Sequence, residues 1–414
     1  MGRTHPLEST PDYELFCKSR LADPYPFYHR LRTEDPVHFS NALQTWVLTA
    51  YEDVATATGE DRLSSDRMGF YLNPVPAEAR QKLRPLCEHM SRWMSMNDAP
   101  DHTRLRGLVN KVFTSRSLEE LMPRIREISS NLIDAFGDGG QVDLIEQFAY
   151  PLPAAVICEM LGIPFDEQQQ FRQWSNDIVA FSAGSGMLLE EVAERAQESQ
   201  LELVEYCRGI VGQRRRQPKD DLISQLISVE QEGAKLSELE LYAMCVQLFV
   251  AGHETTTNLI GNGVLALLRH PDAFRELQEQ PQRLESAIEE FLRYDSPVQR
   301  TGRIVKKNLE VRGERLTEGE SVMLMYGAAN RDPNQFDHPD RLHLGRHPNK
   351  HLAFGRGPHF CVGAPLARME AKIAFATILS RLSDIHLVDE ELSWRPSMAM
   401  RGLESLQVGY SLHR

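Results

Sequence analysis

Cys361 stands in the stretch Phe354-Gly355-Arg356-Gly357-Pro358-His359-Phe360-Cys361-Val362-Gly363, and a helix-like run follows at once. Gly355, Gly357 and Gly363 permit left-handed or tightly curved backbone and close approach to a bulky planar partner. Ala364-Pro365-Leu366-Ala367-Arg368 reads as a helix start, with Pro365 preset in its first turn. A cysteine just ahead of a helix N-terminus feels the positive end of the dipole, which favours thiolate over thiol. Such a thiolate is a soft ligand for a transition metal, iron in particular. A lone cysteine beside a turn is more often a small buried hydrophobe. The glycine spacing and His359 argue for the ligand.

Three further groups carry chemistry. Glu254 and Thr255 lie inside an apolar helix, where a carboxylate and a hydroxyl have no structural reason to be. Beside them Ala251 and Gly252 make a notch among larger residues. His102 and Arg106 are four apart, so both project from one helix face, and two donors on one face suit an anion. Glu290 and Arg293 form an i,i+3 acid–base pair, which on an exposed surface contributes under ~1 kcal/mol.

The elements that must position these groups are legible nearby. Ser237-Glu238-Leu239-Glu240 is a capping box, and the helix it opens runs to His270, where Pro271 stops it. Thirty-odd residues span roughly 50 Å, enough to cross the molecule. Leu241, Met244, Leu248, Ala251, Gly252, Thr255 and Leu259 share one face of it. The His102 helix carries on through Val112. Asp35–Phe39 and Thr45–Thr49 read as a strand pair, Thr301–Val305 and Val322–Tyr326 as further strands. Residues 118–215 read as amphipathic helix broken at Gly137–Gly140, at Pro151 and Pro153, and at Gly162-Ile163-Pro164. Residues 64–95 are irregular and rich in aromatics and methionine, which serves equally to line an adaptable pocket or to pack a long loop.

The spelling Phe-Gly-x-Gly-x-His-x-Cys-x-Gly at 354–363 resembles the haem-binding signature of the cytochrome P-450 family. Ala251-Gly252-His253-Glu254-Thr255-Thr256 is similar to that family's acid–alcohol motif, and the remaining motifs follow in order along nearly the whole chain. The resemblance implies a mainly α fold with a small β region, formed as one domain over residues 1–414. In it, haem b is buried between the long central helix and the cysteine loop, with Cys361 as axial thiolate and metal ligand. Phe354, Gly355 and Gly363 shape the loop. His102, Arg106, Arg303 and His359 hold the propionates, and Ala251 and Gly252 leave room for dioxygen. Thr255 bonds the reacting oxygen, and Glu254 relays protons to it through water. Glu290 and Arg293 become a buried structural network completed by Arg341. Phe70, Met94, Phe181, Leu248, Val298, Gln299, Met398 and Met400 are the substrate-pocket candidates, with Arg300 and Ala399 beside them. Residues Phe171–Leu189, with Gly184 and Gly186, form a lid.

The implied activity is that of a monooxygenase that hydroxylates or epoxidises a medium-to-large hydrophobic molecule, in natural-product tailoring. Its electrons derive from NAD(P)H through a separate ferredoxin or flavodoxin and its reductase, for which Arg104, Lys111, Lys350 and Arg356 offer a basic patch. A haem-thiolate peroxygenase has no need of Glu254 and Thr255, and a non-catalytic haem sensor gains nothing from them. Net charge −13 argues against nucleic-acid binding. Six scattered cysteines without a CxxC pair exclude a disulfide framework and zinc-ligand spacing, in keeping with a reducing cytoplasm. Residues 1–23 hold no apolar run of membrane-anchor length.

Overall fold

A helix of 32 residues, Glu238–Arg269, runs through the molecule, about 48 Å at 1.5 Å per residue. Its capping box is formed: the Glu240 N–H donates to Ser237 Oγ at 3.3 Å, and the Ser237 N–H donates to the Glu240 carboxylate at 2.7 Å. Beyond the first turn it is buried almost all round, as expected of a helix apolar on every side. Two hydrophobic cores meet on it, one drawing Leu241–Val250 and the other Leu259–Leu267. Between them the burial is interrupted at Ala251, Gly252 and Thr255, one to four residues apart and therefore on one face. The computed structural model describes residues 18–72, 77–164, 168–182, 189–231, 236–397 and 399–412.

Three shorter helices carry the other site residues. Asp101–Val112 carries His102 and Arg106, Leu284–Tyr294 carries Glu290 and Arg293, and Ala364–Arg381 follows the cysteine loop. The last begins where Gly363 caps it and Pro365 occupies its first turn, a position whose N–H has no intrahelical acceptor. The β region is small. One sheet orders its strands Val37–Ser40, Thr45–Leu48, Ser321–Leu324, Thr301–Val305 and Leu63–Ser64. The first pair is antiparallel, Val37 opposite Leu48, as the turn chemistry between them implies. Thr301–Val305 lies antiparallel to Ser321–Leu324 with Arg303 opposite Val322.

Two of the expected breaks take a definite form. At Pro151 a π-helical turn, Ile145–Ala149, ends and the helix Pro151–Leu161 begins, with Pro151 and Pro153 in the first turn, where the N–H groups lack intrahelical acceptors. Gly137–Gly140 is more than a break, because Gly139–Asp143 forms a strand against Gln407–Leu412 at the other end of the chain. Gly139 and Gly140 take φ of 151° and 139°, which glycine tolerates within that strand.

Candidate functional site

The cysteine loop is held by its own backbone. The Cys361 N–H donates to the Phe354 carbonyl at 2.9 Å, and Phe360 N–H to Gly357 O at 3.0 Å. Gly355 and Gly357, at φ +68° and +70°, make the turns that bring this about. Gly363 takes the curved and not the left-handed alternative, with φ −81° and ψ 2°, and it caps the helix beside Cys361, where an added Cβ would lie 3.9 Å from Sγ. Arg106 donates to the Phe360 carbonyl at 2.6 Å, and the Arg368 guanidinium lies 4.5 Å from the centre of the Phe354 ring. Burial pushes the Cys361 thiol above its ordinary range, against the N–H groups of Gly363 and Ala364 and the charges of Arg106 and Arg368. The helix start alone therefore does not make the thiolate; a metal replacing the proton would.

Above Cys361 lies a cavity of about 350 Å³. Ala251, Gly252, Thr255 and Thr256 of the central helix form one wall, and Phe354, Gly355 and Cys361–Gly363 the opposite one. Met94, Leu248 and Val298 are on its lining, among apolar neighbours such as Phe113, Ile157 and Leu292. At one end converge Arg67, His102, Arg106, Arg303 and His359, and among the described residues no aspartate or glutamate is on the lining. The His102 and His359 rings lie 4.0 Å apart between centres, tilted by 35°, and His359 Nε2 is 3.0 Å from Ser65 Oγ. Burial, then the neighbouring His102, Arg303 and Arg67, pushes His359 down to about 3. Burial also lowers His102 and Arg303. Asp98, off the lining, is the acid that acts on His102, Arg303 and His359, and buried guanidinium groups facing the cavity are costly in a way that an anion placed there relieves. A flat apolar body with a soft metal at its centre and two carboxylates at its edge fits this donor set, which is the chemistry of haem.

Arg67 was not foreseen. It follows the short strand Leu63–Ser64 and is aimed by bonds from Nε to Tyr71 Oη at 2.9 Å and from Nη1 to Ser95 O at 2.9 Å. A single arginine in an irregular segment has no periodic signal to mark it.

On the central helix, the Thr255 hydroxyl donates to Ala251 O at 3.1 Å, the usual back-bond of a mid-helix threonine. Glu254, 4% exposed, is not on the cavity lining. Its Oε1 accepts from Arg395 Nη1 at 3.4 Å and its Oε2 is buried without a partner. Burial raises its pKa and Arg395 opposes the rise.

The buried network has a different third member from the one expected. Glu290 and Arg293, both 0% exposed, form a two-point pair at 2.8 Å for each bond. Arg346, not Arg341, completes it, donating from Nε to both Glu290 oxygens at 3.2 and 3.0 Å. Arg341 contributes only its carbonyl, which accepts from Arg293 at 3.3 Å. The chain reverses between the two residues, and the later arginine is the one turned inward.

Of the other pocket candidates, Gln299 and Met400 line a separate small crevice. Phe181 is buried against Tyr71, 5.8 Å between ring centres, away from the cavity lining. Arg300 is buried but likewise off that lining. The side chain of Phe70, and Met398, Gly184 and Gly186, lie outside the described residues. In the basic patch, Lys111, Lys350 and Arg356 are exposed, whereas Arg104 is engaged by Glu240 and by Asp101 at 2.5 and 2.9 Å. Among the described residues no helix is long and apolar enough to cross a membrane.

Comparison with known proteins agrees with the geometry. Residues 79–403 match the family model Cytochrome P-450. A polyketide-biosynthesis cytochrome P-450 of Bacillus subtilis, PksS, is 39% identical over 94% of this chain and 96% of its own length. The 6-deoxyerythronolide B hydroxylase of Saccharopolyspora erythraea is 36% identical over 97% of this chain and 99% of its own. Among solved structures, P-450BioI with an acyl carrier protein bearing hexadec-9Z-enoic acid has a TM-score of 0.88 and 34% identity, covering 95% of this chain and 99% of that one. A myxobacterial cytochrome P-450 with myristic acid reaches 0.87 at 40% identity, covering 97% and 100%. A basic cluster facing the cavity, a cysteine held in a glycine-turned loop and similarity to these enzymes over nearly the whole chain lead to one conclusion: the chain belongs to the cytochrome P-450 family of haem-thiolate monooxygenases.

Proposed function

We propose that residues 1–414 form one catalytic domain that inserts an atom of dioxygen into a medium-to-large hydrophobic molecule, by hydroxylation or epoxidation, as a tailoring step in the cytoplasm. Two electrons come from NAD(P)H through a separate ferredoxin or flavodoxin and its reductase. The observation that carries this reading is the convergence, on one cavity, of Cys361, the basic cluster and the Ala251–Gly252–Thr255 notch. The names of two relatives, a polyketide-biosynthesis cytochrome P-450 and a 6-deoxyerythronolide B hydroxylase, support the substrate class and the reaction.

Cys361 Sγ would hold haem iron, and Arg67, His102, Arg106, Arg303 and His359 would hold the two carboxylates at its edge. When bound, haem supplies the reductive activation of dioxygen, with electron donation from the thiolate ligand. The protein's own work is then positioning and proton control. Ala251 and Gly252 keep the space over the cysteine free of side chain, which a Cβ at Gly252 would share with Ile157, 3.0 Å away. Leu248, Val298 and Met94 give an apolar wall that excludes water and orients a hydrophobic substrate. The Thr255 hydroxyl, released from Ala251 O, hands a proton into the cavity, and Glu254 behind it is the donor that replenishes it.

Keeping both Glu254 and Thr255 favours a dioxygen-using monooxygenase over a peroxygenase or a haem sensor, neither of which needs this pair. The test compares wild type with Thr255→Ala in NADPH-driven turnover with a ferredoxin and its reductase. Coupling of electrons to product falls in the variant, with the electrons appearing as hydrogen peroxide. Unchanged coupling would remove Thr255 from the mechanism.

A further inference from the structure

On the central helix one polar side chain lining the cavity has no part in the proton or haem chemistry. Gln247 stands one turn before Ala251, is 8% exposed, and lines the cavity together with Leu248 and Met94. Among the described residues it is the one carboxamide on that lining. A pocket for a small molecule is mostly apolar and fixes its occupant's orientation with a few placed polar groups.

The neighbour of this amide decides which half of it faces the cavity. Gln247 Oε1 accepts from the Met94 N–H at 2.8 Å. Met94 opens the short 3-10 turn Met94–Met96, whose first N–H groups have no partner within the turn. An N–H demands an acceptor, so the amide oxygen is the half turned to Met94 and the NH2 group is the half turned away. Among the described residues Met94 is the one hydrogen-bond partner of the Gln247 side chain, and Nε2 has none. Unlike Glu254 Oε2, Nε2 is not sealed off without a partner; it is open to the cavity that the residue lines.

The stronger donors on the lining are committed or lie elsewhere. Arg67 is bonded to Tyr71 Oη and Ser95 O, and it gathers with His102, Arg106, Arg303 and His359 at the basic end. The Thr255 hydroxyl sits on Ala251 O. The hydroxyls of Ser95, Thr256 and Thr301 both donate and accept, so they discriminate little between occupants. Gln247 presents an amide N–H held in one direction, and an oxygen placed there relieves the cost of leaving it bare.

We propose that Gln247 is a specificity-determining residue, donating from Nε2 to a carbonyl, ether or hydroxyl oxygen of the substrate. Resting on the oxygenation reading of this cavity, it narrows the substrate class to hydrophobic molecules that carry an acceptor oxygen. Gln247 precedes Ala251 by four residues and Thr255 by eight, which sets that oxygen about 6–12 Å along the helix from the carbon lying in the notch.

The test uses the haem-loaded full chain, wild type and Gln247→Met, with cyclododecanone and cyclododecane, which differ in one carbonyl oxygen. Spin-state titration gives a dissociation constant for each ring. From wild type to Gln247→Met the ratio of the two constants moves against the ketone by about fivefold or more. An unchanged ratio overturns the donor role, and any loosening of the Met94 turn weakens both rings alike and cancels. Infrared spectra read the bond in wild type alone. With the ketone labelled at its carbonyl carbon, the bound C=O stretch lies below its value in cyclododecane solution, and Gln247→Met returns it there; a wild-type band at the solution value overturns the proposal. Turnover with NADPH, a plant-type ferredoxin and its reductase separates the two readings. Oxygenated product with an unshifted carbonyl band sinks the Gln247 proposal alone. A shifted band with no oxygenated product from either ring sinks the oxygenation reading, and the substrate assignment with it.

Discussion

Two buried carboxylates, Glu290 and Glu254, stand on neighbouring helices and have opposite surroundings. Glu290 accepts from Arg293, from Arg346, from the His343 N–H at 2.9 Å and from Asn349 at 3.2 Å. Glu254 has one long contact and a bare oxygen. A carboxylate saturated with donors is fixed in charge and place, so it can only hold structure together. One left half-satisfied is costly to the fold, yet it is free to exchange a proton.

The largest effect expected from that contrast is on the network. Glu290→Ala or Arg346→Ala strands buried charge and costs about 3–5 kcal/mol, read by denaturant unfolding of the haem-loaded protein. A loss in Arg346→Ala no greater than in Arg341→Ala would break the assignment of the third member. Next comes Glu254→Gln, expected to slow turnover about 100-fold, near 2.7 kcal/mol of barrier, while unfolding stability holds or rises. A variant that unfolds like Glu290→Ala would put the two carboxylates in the same class.

A third buried acid sharpens the comparison. Glu370, on the helix after Cys361, has Oε2 without a partner, and burial holds its carboxyl well above the ordinary range. The folded protein therefore binds this proton more tightly than the unfolded chain. Its contribution is fully present below the ordinary carboxylate pKa and is lost as pH rises toward the folded value. Thermal melts between pH 5 and 9 should show a decline with pH that Glu370→Gln flattens; parallel declines would count against it. The smallest effect belongs to Arg341→Ala, within about 0.5 kcal/mol, since only its carbonyl is used.

What the sequence made legible was local. The Ser237 capping box, the Pro365 helix start, the one-face spacing of His102 and Arg106, and the Ala251–Gly252 notch depend on residues within a turn or two of each other, where backbone geometry fixes the neighbours. The mainly α fold and the cysteine loop followed from such features together with the family resemblance. What escaped depends on how distant segments fold back. Arg346 is chosen over Arg341 by a chain reversal, Arg67 reaches His359's end of the cavity from an irregular stretch, and Gln299 turns away from Val298's side. Arg395 meets Glu254 across 141 residues. The strand Gly139–Asp143 escaped likewise, because its partner lies at the far end of the chain. None of these has a spacing to read.

The reading of the cavity stands on Cys361 as a thiolate ligand of haem, and the absorption spectrum of the reduced, carbon-monoxide-treated protein tests that directly. Wild type should give the red-shifted Soret band of a thiolate-ligated haem, and Cys361→His, loaded with haem to the same extent, should lose it. A red-shifted band that persists in Cys361→His would contradict the account.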